Sequence, residues 1–334
     1  MITYVKGNLF ESPAKVLVNT VNTVGVMGKG IAKTFKDIYP DMFARYLSLC
    51  ESNQFNVGQL WLYKTSHKWI LNFPTKKDWR HPSKAEYVEE GLKKFAAGYP
   101  RHGITNAAFP RLGCGNGELD WEKVVRPLMK KYLAELPIQV FIYEYFKEAG
   151  IPEHRDTQAM ARWLQSEPRA LPFLEMWNDL TEKIGPDLTL RTADGIEFNV
   201  RIAGSNGSSG LRLQVDKPAW QRLFARISDL IRSKPMRPIL LTEGEVFIPQ
   251  EAMLDLWQNI RSYGFCSTGV MPGGLDDLAP YLVPILERLD YMKPVQIATP
   301  QQQETGISEA ALEFFPTSRS ISAYASPSLA AQPA

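Results

Sequence analysis

The sequence is poor in the residues that build metal sites and disulfide frameworks. Its 334 residues hold three cysteines and four histidines. Cys50, Cys114 and Cys266 stand far apart. An odd count with no CxxC makes neither a disulfide framework nor a zinc site, and the histidines show no metal-ligand spacing. The expectation is no metal, no cofactor and a reduced compartment. Long apolar runs are missing too. A membrane span needs about 20 such residues, so no membrane partner is expected. The first residues, Met-Ile-Thr-Tyr-Val-Lys, suit a strand start rather than the apolar core of a signal peptide, which leads to a cytoplasmic expectation. No internal repeat stands out.

Charge is unevenly shared. Residues 151–334 carry 17 Lys and Arg against 22 Asp and Glu, a net −5, while residues 1–150 carry 21 against 14, a net +7. A basic half suits a phosphate-rich partner, and equally suits simple solubility. The length allows two domains, each with its own core.

Residues 1–150 alternate strand and helix patterns. Strands are expected at 15–19, 59–64, 68–73, 104–109 and 138–146. Helices are expected at 28–38, 40–50, 83–99 and 119–133. In the third of these, Val88, Leu92, Phe95 and Tyr99 line one helical face. Such alternation predicts an α/β domain with a sheet covered on both faces. Residues 151–298 predict a smaller α+β domain. It would hold helices at 156–165, 171–184, 217–233, 249–263 and 275–289, a strand at 238–242, and a hairpin over 187–202 turning at Ala193-Asp194-Gly195. The Gly- and Ser-rich stretch 201–210 predicts a mobile loop. From 299 the chain turns to Gln, Ser, Ala and Pro, which predicts a disordered tail over 299–334.

Two segments of the first half combine a buried strand, a glycine-rich turn and a helix start. The first is Asn19-Thr20-Val21-Asn22-Thr23-Val24-Gly25-Val26-Met27-Gly28-Lys29-Gly30-Ile31-Ala32. The second is Ala107-Ala108-Phe109-Pro110-Arg111-Leu112-Gly113-Cys114-Gly115-Asn116-Gly117-Glu118-Leu119-Asp120-Trp121. Glycines let a backbone approach phosphate, and helix N-termini offer free N–H groups. Two such loops at strand C-terminal ends suit a diphosphate, or are simply two tight turns. The spacing is neither a dinucleotide fingerprint nor a Walker loop.

Together, Val18-Asn19-Thr20-Val21-Asn22 with Gly28-Lys29-Gly30-Ile31-Ala32, and Pro110-Arg111-Leu112-Gly113-Cys114-Gly115, resemble the macrodomain signature over roughly residues 1–147. The resemblance implies a three-layer fold with a mixed six-stranded sheet and ADP-ribose across its top edge. It places Gly28, Lys29, Gly30, Ile31 and Val26 on one side of the ligand. Pro110, Arg111, Leu112, Gly113, Cys114, Gly115, Asn116 and Gly117 lie on the other. Asn19 and Asn22 belong to the distal ribose, Asn8 to the adenine, and Thr20, Gly7 and Leu9 also line the ADP-ribose. Asn8 stands where many macrodomains have an aspartate.

A third segment, Asn72-Phe73-Pro74-Thr75-Lys76-Lys77-Asp78-Trp79-Arg80, resembles the catalytic segment of two macrodomain branches, the terminal ADP-ribose protein glycohydrolases and the DarG-type DNA ADP-ribosyl glycohydrolases, and is closer to the second. Thr75 then lines the ligand and Lys76 is catalytic, with Asn22 orienting the ribose or a water. The alternative for Lys76 is a surface lysine. The protein branch carries an aspartate where this chain has Gly117, which makes a covalent lysine route resolved by that aspartate less expected. The resemblance implies an antitoxin that strips ADP-ribose from thymine bases in DNA. Its alternatives are an ADP-ribose reader without chemistry and a protein glycohydrolase. Lys76 could serve as general acid, electrostatic stabiliser or nucleophile. Lys76, Lys77, Arg80, His81, Lys84 and Arg111 are candidates to meet DNA phosphates. Trp79 stacks on a base or packs on its own domain. The resemblance further implies that the acidic second half binds a partner ADP-ribosyltransferase toxin with a surface that imitates DNA; the alternatives are a small accessory domain and extra DNA contact.

Overall fold

A computed structural model of the chain describes residues 1–144, 150–205, 208–218, 220–221, 240–242, 244–267, 271–272, 275–298 and 309–315. The chain divides into two compact units, Met1–Trp163 and Leu164–Ala334. Residues 151–163, expected in the second domain, therefore lie in the first.

The first unit is built on a six-stranded sheet of β1 (Ile2–Val5), β2 (Val16–Val21), β3 (Trp61–Lys64), β4 (Trp69–Pro74), β5 (Asn106–Pro110) and β6 (Gln139–Tyr143). The order is β1-β6-β5-β2-β4-β3. All neighbours run parallel except β3 on β4, so the sheet is mixed, as expected. Its helices are α1 (Gly30–Ile38), α2 (Pro40–Glu51), α3 (Ala85–Gly98) and α4 (Arg126–Leu133), and α5 (Thr157–Ser166) begins in it and runs three residues past its last residue. Proline at the first position of α2 costs no backbone bond there. The expected helix over 119–133 starts as a π turn, Trp121–Val125, before α4. Asp120 caps it by accepting from the Lys123 N–H at 2.8 Å. The strand expected over 138–146 ends at Tyr143, and residues 145–146 lie outside the described residues.

Alternation along β2 sorts the layers. Val16 and Val18 join Phe73, Val88, Leu92, Phe95, Phe109, Val125, Met129 and Leu133 in a core between the sheet and α3 and α4. Leu17 and Asn19 take the opposite face, where α1 runs against β2. In α3, a Cβ at Gly91 would collide with the Phe73 ring, so the helix lies close on β4 only because that residue has no side chain.

The second unit holds a five-stranded antiparallel sheet, β10-β11-β9-β8-β7, and a three-stranded one, β12-β14-β13. The expected hairpin forms from β7 (Leu188–Arg191) and β8 (Glu197–Ser205). The expected mobile loop over 201–210 is strand at 201–205 and 208–210, and residues 206–207 lie outside the described residues. The two strand pieces are the end of β8 and the start of β9 (Ser208–Val215), with Ser205 paired to Ser208. The Ser and Gly content misled, because composition alone does not exclude strand pairing. Helix α6 (Phe173–Ile184) precedes this sheet, β10 (Leu240–Thr242) and β11 (Glu245–Pro249) complete it after β9, and α7 (Gln250–Tyr263) and α8 (Ala279–Leu286) match the last two expected helices. Most of the helix expected over 217–233 lies outside the described residues. The expected disordered tail fails at Glu309–Phe314. That strand, β14, pairs with both β12 (Phe265–Ser267) and β13 (Met292–Ile297). Its Ala311 and Leu312 are buried, a short apolar stretch that a polar tail composition hides. Of the rest of the tail only Phe315 is among the described residues.

Candidate active site

Three adjacent parallel strands, β5, β2 and β4, release the three ligand-type segments from their C-terminal ends. That edge is where open α/β sheets gather ligand groups. β1 ends on the same edge and carries Gly7, Asn8 and Leu9. Sheet topology alone therefore brings every expected site segment to one place.

The first segment is held from within. Asn22 is buried, and its Oδ1 accepts from the Val24 and Val26 N–H groups and from Tyr46 Oη, at 3.1, 3.2 and 3.0 Å. Its Nδ2 donates to the Val26 carbonyl at 2.7 Å. The side chain is thus engaged in shaping the loop, and one N–H is left for anything else. Tyr46, on α2, escaped the sequence reading because Met42, Tyr46 and Cys50 look like an ordinary buried helix face. Asn19 is fully buried and donates to Asn72 Oδ1 at 2.9 Å across β2 and β4. Its Oδ1 is buried without a hydrogen-bond partner. Thr20 is half-buried in β2. Helix α1 begins at Gly30, whose φ of +58° is the left-handed region where glycine costs nothing. Ile31 follows half-buried in its first turn.

The second segment packs back on the third. The Ser83 N–H donates to the Gly117 carbonyl at 3.0 Å, and a Cβ on Gly117 would collide with Ser83 Oγ and the Gly113 carbonyl. Position 117 therefore cannot hold an acidic side chain in this arrangement. Glu118 follows with a φ of +61°, and its carboxylate meets His154 Nε2 and Arg155 at 2.6 Å each. The His154 contact, then Arg155, holds that carboxyl below its usual range. Leu112 is part of the hydrophobic core and presents nothing to a ligand. Pro110, Arg111, Cys114, Gly115 and Asn116 are half-buried along the loop. Asn116 faces Gly30, so the two glycine-rich loops approach each other. Burial pushes the Cys114 thiol up to about 12, which leaves it protonated and non-nucleophilic. Near β1, Asn8 spends its amide locally. Its Oδ1 accepts from the Phe10 N–H and its Nδ2 donates to Glu11, each at 3.1 Å, capping a short turn over Leu9–Glu11.

The third segment is tied to the first. The Thr75 N–H donates to the Val21 carbonyl, and the Thr23 N–H and hydroxyl to the Lys77 carbonyl. Thr75 and Lys76 are both buried, so Lys76 is not a surface lysine. Its Nζ makes no hydrogen bond, and its nearest charge is Glu153 Oε2 at 3.6 Å. Burial lowers the Lys76 pKa, and the carboxylates of Glu153, Glu118 and Asp78 oppose that shift. Lys77, His81 and Lys84, which follow Lys76 in the chain, are exposed. Trp79 is buried, so it packs on its own domain and offers no base a stacking face.

Residues 150–163 add a fourth component that no sequence pattern announced. Lys29 Nζ donates to the Ile151 carbonyl at 3.2 Å, Glu153 reaches Lys76, and His154 and Arg155 reach Glu118. A Cβ on Gly28 would collide with Met160 and Trp163, and Lys36 lies 4.7 Å from the Trp163 ring. Among the described residues no cluster could hold a metal ion, and no helix is long and apolar enough to cross a membrane.

The Macro domain family matches residues 18–128. The chain is 45% identical over 148 residues to a DNA ADP-ribosyl glycohydrolase of Thermus aquaticus, covering 43% of this chain and 41% of that protein. It is 37% identical over 161 residues to a DNA ADP-ribosyl transferase-DNA ADP-ribosyl glycohydrolase fusion protein of Thermosipho africanus, covering 42% and 41%. It is 30% identical over 143 residues to the ADP-ribose glycohydrolase OARD1 of Bos taurus, covering 42% of this chain and 90% of that protein. The chain thus spans about two-fifths of the length of the first two relatives.

Proposed function

Because this chain belongs to the macro domain family, we propose that its first unit hydrolyses the bond between ADP-ribose and a base of DNA, thymine in the fullest reading, and that Lys76 carries the chemistry. The observation that carries this is the buried Lys76 ammonium with unspent hydrogen bonds, at the sheet edge where both glycine-rich loops meet. The identity to proteins named DNA ADP-ribosyl glycohydrolases supports the choice of substrate.

The backbone amides of the two loops hold the diphosphate and so fix the distal ribose. The bond between ribose C1″ and the base nitrogen breaks through an oxocarbenium-like state. The leaving nitrogen takes a proton, and water adds its oxygen to C1″ and gives up a proton. An ammonium at Lys76 supplies the first proton and is restored by the second. Asn22 shapes the loop beneath the ribose and contributes as a positioning residue. Lys77, His81 and Lys84, exposed and following the catalytic lysine in the chain, suit the phosphates of a single strand. The test is Lys76→Ala in the full chain. Free ADP-ribose release from modified DNA is expected to fall by 100-fold or more on the order of general-acid effects, while calorimetry still shows ADP-ribose binding. Near wild-type turnover would remove Lys76 from the mechanism.

The second unit we read as the binder of an ADP-ribosyltransferase. The C-terminal half's net charge of −5 suits a basic DNA-binding cleft, and one relative is a fusion of transferase and glycohydrolase. Full-length Lys76→Ala separates this from hydrolysis. It should still bind the transferase and partly relieve its toxicity. If it does neither, the partner reading fails.

A further inference from the structure

Buried lysines need a reason to stay charged. Lys76 Nζ is enclosed with no hydrogen-bond acceptor, and among the described residues its nearest carboxylate is Glu153 at 3.6 Å, itself buried. The second loop offers no substitute. Position 117 has no room for a side chain, and Glu118 is turned to His154 and Arg155. Glu153 does not belong to the strands and loops that build the site. It comes from the segment after β6, which is fastened separately to the first loop through Lys29 and to the second through Glu118.

We propose that Glu153 is the positioning residue of the hydrolysis, a carboxylate carried in by residues 150–155 that keeps Lys76 an ammonium and aims it at the leaving nitrogen. This rests on the reading of Lys76 as the catalytic group. The distance suits the role. At 3.6 Å the pair attracts without consuming the lysine's hydrogen bonds, so an N–H remains to donate to substrate. The groups that face the pair are Lys29 on the Glu153 side, Glu118 and Asp78 on the Lys76 side, and the buried Tyr46 phenol. Burial raises Glu153 and lowers Lys76, and each is partly corrected by the other. Removing the carboxylate's charge leaves burial to act on Lys76 with less opposition, so the lysine must lose its proton at lower pH.

The experiment uses the full chain and Glu153→Gln, which keeps size and removes charge. The Lys76 titration is followed by NMR on lysines labelled at Cε, and turnover of ADP-ribosylated single-stranded DNA is measured across pH. Lys76 should bind its proton about 10-fold more weakly or worse in the variant. The alkaline limb of the kcat profile should move to lower pH by the same factor, with KM little changed. Glu153→Asp should move it less. An unmoved Lys76 titration and limb would overturn the proposal. So would faster turnover or tighter ADP-ribose binding by Glu153→Gln, which would make residues 150–163 a plug over the site. Loss of folding in the variant, seen by circular dichroism, leaves Glu153→Asp to give the same two readings. The underlying reading fails separately. If Lys76→Ala turns over normally, Lys76 is not catalytic whatever Glu153 does.

Discussion

Single side chains decide whether the edge of this sheet does chemistry or only binds. Lys76 is the clearest case. Thr75-Lys76 could be read from the sequence as a resemblance, but its burial could not, since a Lys-Lys pair in a loop looks solvated. The fold encloses the first lysine of the pair and exposes the second. Cys114 gives a test at the same scale. With its thiol at about 12, thiolate is scarce near neutral pH, and the reactive form appears only as pH climbs toward that value. Iodoacetamide should label Cys114 far more slowly at pH 8 than it labels an unperturbed thiol, by a factor of about 1,000. Equal rates would show an open, activated cysteine. Asn22 gives a second. Asn22→Ala strips the side-chain acceptor from two loop N–H groups, while Tyr46 Oη keeps the Asn22 backbone carbonyl at 2.9 Å, and should cost about 1–3 kcal/mol in urea unfolding. A smaller loss with an intact loop would mean that water replaces the amide.

Elements were legible in proportion to their periodicity. The buried strand β2, helices α1, α2 and α3, and the β7–β8 hairpin stand close to their expected places, because apolar spacing and turn residues set them locally. What escaped was set by distant partners or by composition. Residues 150–163 carry no glycine loop, and only the fold shows that they reach Lys29, Lys76 and Glu118. The β8–β9 hairpin was hidden by its own serines and glycines. Gly210 there has a specific reason, because a Cβ would collide with the Ile248 carbonyl across β9 and β11. Gly210→Val should therefore destabilise the second unit by about 1–3 kcal/mol, seen as a lower midpoint in its thermal transition. An unchanged midpoint would mean that the sheet edge there relaxes freely.

Across the whole chain, charge separates the two halves. The +7 of residues 1–150 predicts that affinity for single-stranded DNA falls linearly with the logarithm of salt, as counterions are released. A flat response in a filter-binding titration would point to a protein or free nucleotide substrate instead. The acidity of residues 151–334 was legible, but nothing in their pattern names a partner. The account's central claim is that this chain breaks the bond between ADP-ribose and a DNA base. Its most direct test is incubation of the full chain with a single-stranded oligonucleotide ADP-ribosylated on thymine, with products followed by mass spectrometry. The account predicts free ADP-ribose and the unmodified oligonucleotide in equal amounts. Recovery of the modified oligonucleotide intact, under conditions where ADP-ribose binds, would contradict it.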